Sequence, residues 1–132
     1  MSANHLELVK QVAQELDAII EKVDSLEFCP IMWEDSYALL YALKDAQDRI
    51  DALSEQLDPI YFDDSFWNDP QNKDFVENIE EAVKCFIEFS SYFNSIDSVL
   101  EEEGPKEWYE KDGEYLSAQL KNAKQHLNQI LM

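Results

Sequence analysis

Two histidines, two cysteines and 29 carboxylates are the side chains through which this 132-residue chain could do chemistry. Their spacing decides which chemistry. A helical bundle that holds two metal ions on carboxylates sets a Glu three residues before each inward-facing histidine. The corresponding residues here are Ser2 before His5 and Ala123 before His126, so that pattern is absent. Residues 58 to 69 are rich in aspartate but lack the alternating oxygen ligands, central glycine and closing glutamate of a calcium loop. Weak, nonspecific attraction of cations is the most they support.

Cys29 and Cys85 carry no local signature of a nucleophile, and histidines near opposite ends of the chain define no Cys-His pair. Cys85 falls at the edge of an apolar helical stripe, the position of a small buried residue. Gly104 and Gly113 are the only glycines, which excludes a glycine-rich phosphate loop. The expectation is a protein that is not an enzyme, with no catalytic residue, no metal site and no cofactor.

Charge is then the dominant property: 29 acids against 10 bases give a formal net charge of −19. Self-repulsion on this scale opposes a compact state, and its retention points to use of the field on a partner. Phosphate is repelled by a surface of this sign, so direct nucleic-acid binding is disfavoured. With 45% hydrophobic and 12% aromatic residues, the composition is not that of a disordered acidic tail. One domain spanning residues 1 to 132 follows from the length. The amino-terminal residues contain no apolar signal-like run, and no segment approaches the ~20 apolar residues of a membrane span. A reduced, cytoplasmic setting without membrane contact is expected.

The elements that must position these acids are helical, because apolar residues recur at three and four positions and strict alternation is nearly absent. Leu6, Val9, Val12, Ala13, Leu16, Ile19, Ile20 and Val23 form the stripe of a first helix, expected to end near Phe28 ahead of Pro30. A second helix begins near Asp35 or Ser36, buries Leu39, Leu43, Ala46, Ile50, Leu53 and Leu57, and ends at Pro59. Its opposite face carries Tyr37, Tyr41, Asp48, Asp51 and Glu55. Residues 60 to 72 show no sustained helical period and read as a long acidic and aromatic connection.

A third helix starts at Asp69-Pro70 or near Asn72 and carries the heaviest stripe, from Phe75 through Ile79, Phe86, Phe89 and Phe93 to Leu100. Gly104 and Pro105 close it after Glu101, Glu102 and Glu103, three carboxylates that oppose the helix dipole. Residues 106 to 112 read as a turn, Gly113 as a break, and Leu116, Leu120, Ala123, Leu127 and Ile130 as the stripe of a last helix. The fold class is all-α, a bundle of about four amphipathic helices with the long connection between the second and third.

Charge is unevenly spread along this plan. Residues 27 to 113 hold 23 acids and six bases, whereas the last helix is slightly basic. The aromatic pairs Phe66 with Trp67 and Trp108 with Tyr109 lie beside these acids, off the best stripes. They serve either as caps of the bundle core or as interface anchors. Trp33 is expected in the core.

The candidate partner-binding residues are Asp63, Asp64, Phe66, Trp67 and Asp69, then Asp48, Asp51 and Glu55, then Glu101, Glu102, Glu103 and Trp108. They suit an acidic protein that neutralises a basic partner by electrostatic and steric occlusion, an immunity-type inhibitor of a nuclease-like toxin being the leading form. A nucleic-acid mimic blocking a defence or DNA-binding protein is an alternative. A structural or adaptor bundle forming homodimers or hetero-oligomers is another, with acidity serving solubility.

Overall fold

Helical periodicity in the sequence becomes four long helices: α1 (Ala3–Asp24), α2 (Trp33–Gln56), α5 (Lys73–Glu103) and α6 (Glu110–Leu131). Between α2 and α5 lie two one-turn helices, α3 (Asp58–Tyr61) and α4 (Asp64–Trp67), and a 3-10 turn, Pro70–Asn72. The computed structural model describes residues 3–26, 28, 33–103 and 110–132, with side chains described for 4–26, 28, 37–95 and 110–132.

Each long helix packs against two others, in the cyclic order α1, α2, α5, α6. Cross-helix bonds fix the directions. Lys22 meets Asp45 while Glu15 meets Gln56, so α2 runs back along α1. Gln47 reaches Asn94, and Asp51, further along α2, reaches Ser90, so α5 reverses again. Tyr92 pairs with Asp112 and Asn78 with His126, which makes α6 antiparallel to α5. The result is an up-down-up-down four-helix bundle.

The stripes meet inside it. Val9, Leu16, Leu43, Ile50, Ile79 and Leu120 are fully buried, and Phe86, Phe89 and Phe93 of α5 fill the middle. These aromatic side chains give α5 its central place, since each buries far more area than an aliphatic residue.

Three boundaries differ from the sequence expectation. α1 stops at Asp24, a turn before Phe28, where the Ser25 hydroxyl donates to the Lys22 carbonyl at 2.6 Å and Phe28 turns back into the core. α2 stops at Gln56, and Pro59 lies in the first turn of α3. A missing amide hydrogen costs a helix nothing there. Gly113 is no break: α6 begins at Glu110 and carries it as a buried interior residue. A side chain at that position would overlap the Phe28 ring, so glycine is what allows the ring to close this end of the bundle. Residues 104 to 109, with Trp108 and Tyr109, lie outside the described residues, as do the side chains of Trp33, Glu101, Glu102 and Glu103.

The connection is also more structured than its pattern suggests. A single turn is too short to display a 3.6-residue period, so capping chemistry has to define it. Asp63 caps α4 by accepting from the Phe66 amide at 3.2 Å, and Asp69 caps the 3-10 turn by accepting from the Gln71 amide at 3.0 Å. Ile60, Phe66 and Asn72 are buried beneath it, and the Asn72 side chain donates to the Phe66 carbonyl at 3.0 Å.

Candidate functional site

The cyclic helix order sorts the charge into two layers. Residues 33 to 103, which supply α2, the connection and α5, hold 19 acids and four bases, whereas α1 and α6 hold eight acids and five bases. Among the residues whose side chains are described, the first side carries 13 acids and four bases, −9, and the other carries −3. Low net charge on the second side comes with ion pairs across α1 and α6: Lys124 with Asp17 at 2.7 Å and Lys121 with Asp24 at 3.1 Å. Lys124 also donates to the Ala13 carbonyl at 3.0 Å.

On the acidic side, Asp48, Glu55, Asp58, Asp64 and Glu80 are exposed, and none of their carboxylates has a cation or hydrogen-bond donor among the described residues. Asp51 accepts from the Ser90 hydroxyl at 3.3 Å, joining α2 to α5. Lys84 pairs with Glu81 at 3.3 Å and Arg49 with Asp45 at 3.2 Å, both exposed and each within its own helix. Such contacts contribute at most about 1 kcal/mol and leave the surplus of carboxylates intact.

The connection residues divide by role. Asp63 is drawn inward: its Oδ2 lies 2.9 Å from His5 Nε2 while Oδ1 caps α4. Bonds from His5 and then from the Phe66 amide hold its carboxyl below the usual range. Phe66 is buried, with its ring edge-on to His5 at 4.8 Å and to Phe75 at 4.9 Å. It is a core cap, and burial takes it out of the exposed contact set. Trp67 is half-buried and stacks on Tyr61 at 4.7 Å. Asp69 is exposed and occupied as a cap, while Asp64 is exposed and uncommitted. Of the second group, Asp48, Asp51 and Glu55 all face solvent on α2, as their helical phase requires.

Four residues that bear on this face were not among the candidates. Tyr41 is 65% exposed, Ile87 58% and Phe62 79%. Glu80 lies close enough to Tyr61 to raise its phenol, after burial, which acts more strongly. Ile87 carried a readable signal: it is a large apolar residue on the polar side of the α5 stripe.

At the far end of the bundle, a cavity of about 690 Å³ opens between α1 and α6, lined in part by Asp24, Phe28, Gly113, Ser117 and Lys121. Ser117 donates to Asp24 at 2.5 Å, and this bond, more than Lys121, holds the Asp24 carboxyl below its usual range. Burial pushes the half-buried Cys85 thiol up, and Glu81 and Glu88 push it further, which opposes a thiolate near neutral pH. Among the described residues no group of three or more His, Cys, Asp or Glu is arranged to hold a metal ion, and no helix is long and apolar enough to cross a membrane.

Comparison of the chain with family models, with curated proteins and with solved structures found no match in any of the three.

Proposed function

We propose that this protein is a non-enzymatic acidic binding protein that neutralises a basic protein partner, with an immunity-type inhibitor of a nuclease-like toxin as the leading form. The observation that carries this reading is the sorting of charge among the described side chains, −9 on the layer of α2, the connection and α5 against −3 on the layer of α1 and α6. A molecule acidic only for solubility needs no such asymmetry. A one-sided field orients an approaching basic protein and accelerates encounter, while the rigid bundle behind it denies the covered cleft to a substrate. A nucleic-acid mimic would use the same physics against a DNA-binding groove. The adaptor reading draws support from Tyr41, Phe62 and Ile87, large exposed residues on that same side. Self-pairing through this layer is opposed by like charge, so a homodimer would have to form through α1 and α6.

The test is copurification with the product of the neighbouring gene, with any activity of that product on nucleic acid assayed in parallel. Binding that inhibits that activity and weakens steeply as salt rises supports the proposal. Binding indifferent to salt, or to the triple reversal Asp48→Lys, Glu55→Lys and Glu80→Lys, overturns the electrostatic mechanism. A neighbouring product that binds without inhibition favours the adaptor.

A further inference from the structure

The seam between α2 and α5 runs along the acidic layer, and its register follows from the bonds that cross it. Gln47 reaches Ser90 and Asn94, and Asp51 meets Ser90. Because the helices are antiparallel, Ile87, one turn before Ser90 on α5, lies level with the turn of α2 that carries Glu55. Ile87 shares a helical face with Ser90 and Asn94 by its three- and seven-residue spacing, so it projects into the mouth of the seam. Glu80 lies two turns earlier on the same face. On α2, Tyr41, Asp48 and Glu55 follow one another at intervals of seven along a single line, about 10 Å per step.

Along the seam and the outer line of α2 beside it lie two exposed apolar groups about 20 Å apart, Ile87 at the level of Glu55 and Tyr41 beyond Asp48, among the carboxylates Asp48, Asp51, Glu55 and Glu80. Exposing an isoleucine to 58% and a tyrosine to 65% contributes nothing to the bundle core. Large apolar side chains set among charged ones are a common feature of the contact area of a protein interface.

We propose that the α2-α5 seam is the docking surface for an arginine-bearing segment of a basic protein. This rests on the function proposed above and specifies its surface and the partner's chemistry. Arginine fits better than lysine. One planar, weakly hydrated guanidinium can lie on the Tyr41 ring, and a second, about 20 Å along α2, can lie against Ile87 while its fork donates to Glu55; a compact ammonium keeps its water. Asp63 and Asp69 of the connection are secondary, because both are engaged as caps.

Oligoarginine and oligolysine peptides of equal length, titrated into the isotope-labelled full chain and followed by amide NMR shifts, test this assignment. The expected result is shift changes concentrated in residues 41 to 55 and 80 to 94. Oligoarginine should bind more tightly than oligolysine, and Tyr41→Ala and Ile87→Ser should each weaken oligoarginine about two- to five-fold. Both substitutions are at exposed sites, and unchanged spectra elsewhere verify the fold. Shifts spread evenly over α1 and α6, or unaltered affinity in both variants, overturn the assignment. If the peptides bind elsewhere while the neighbouring gene product is still inhibited in a salt-sensitive way, the docking surface falls and the proposed function stands. Mapping to the seam with no inhibition of that product upholds the surface and removes the inhibitory function.

Discussion

Tyr92 and Asp112 tie α5 to the start of α6 by a bond of 2.5 Å. Asp112, with burial second, raises the Tyr92 phenol from 10.0 to about 12. The folded state therefore favours the neutral phenol: its contribution is complete below pH 10.0 and is lost as pH rises through about 12. Tyr92→Phe removes the donor and should cost about 1 kcal/mol at neutral pH. Thermal unfolding of both proteins across that alkaline range checks this: the native chain's advantage should shrink as the phenol ionises, and a constant gap would show that the bond contributes nothing. Gly113 yields a second prediction at this scale. Alanine in place of an interior helical glycine ordinarily gains up to about 1 kcal/mol. Here the Phe28 ring occupies the space, so Gly113→Ala should instead destabilise by about 1 to 3 kcal/mol through overpacking. An increase in melting temperature would refute that account.

Among the elements, the connection depends most on single side chains. Asp63 satisfies the first turn of α4 and holds His5 of α1, so Asp63→Ala should cost about 1 kcal/mol and speed amide exchange at Phe66 without reaching Ser117 at the opposite end. Uniform loss of protection over the whole bundle would mean that the cap acts globally. This element also shows where the sequence was legible. The stripes of α1, α2, α5 and α6 could be read because each repeats over several turns, and repetition distinguishes a buried face from chance. The one-turn helices could not, because four residues repeat nothing. Asp63 reads in the sequence as a partner contact rather than a cap, since the histidine that engages it is distant in sequence. Gly113 looked like a break for the same reason: its partner, Phe28, reaches it only across the finished bundle. Asp48, Asp51 and Glu55 were placed correctly on the outer face of α2, where phase alone decides exposure. The surplus of acids between residues 27 and 113 was visible too, but its concentration on one side was not, because linear order does not reveal which helices become neighbours.

For the whole molecule, that concentration means that salt should act on fold and complex with opposite signs. Carboxylates crowded on α2, the connection and α5 repel one another in the folded state and separate on unfolding, so stability is lowered by their proximity. Added salt screens exposed charges beyond a Debye length of about 8 Å at physiological ionic strength, and the melting temperature should rise as sodium chloride is increased. The ion pairs of Lys124 with Asp17 and Lys121 with Asp24 weaken under the same screening, but Lys124 is mostly buried and exposed pairs contribute little. Relief of repulsion should therefore dominate. Association with a basic partner depends on the unscreened field, so the same salt should slow binding. The triple reversal Asp48→Lys, Glu55→Lys and Glu80→Lys replaces three uncommitted carboxylates with cations. It should raise stability at low salt, flatten the salt dependence of melting and reduce the association rate. Reversing Glu7, Glu21 and Glu114 on the opposite layer makes the same change in net charge where the local field is weaker, so each effect should be smaller. Calorimetric melting of both triple variants across a salt series checks the first half, and stopped-flow association with the basic partner checks the second. Equal responses from the two variants would mean that total charge, rather than its placement on one layer, governs this protein.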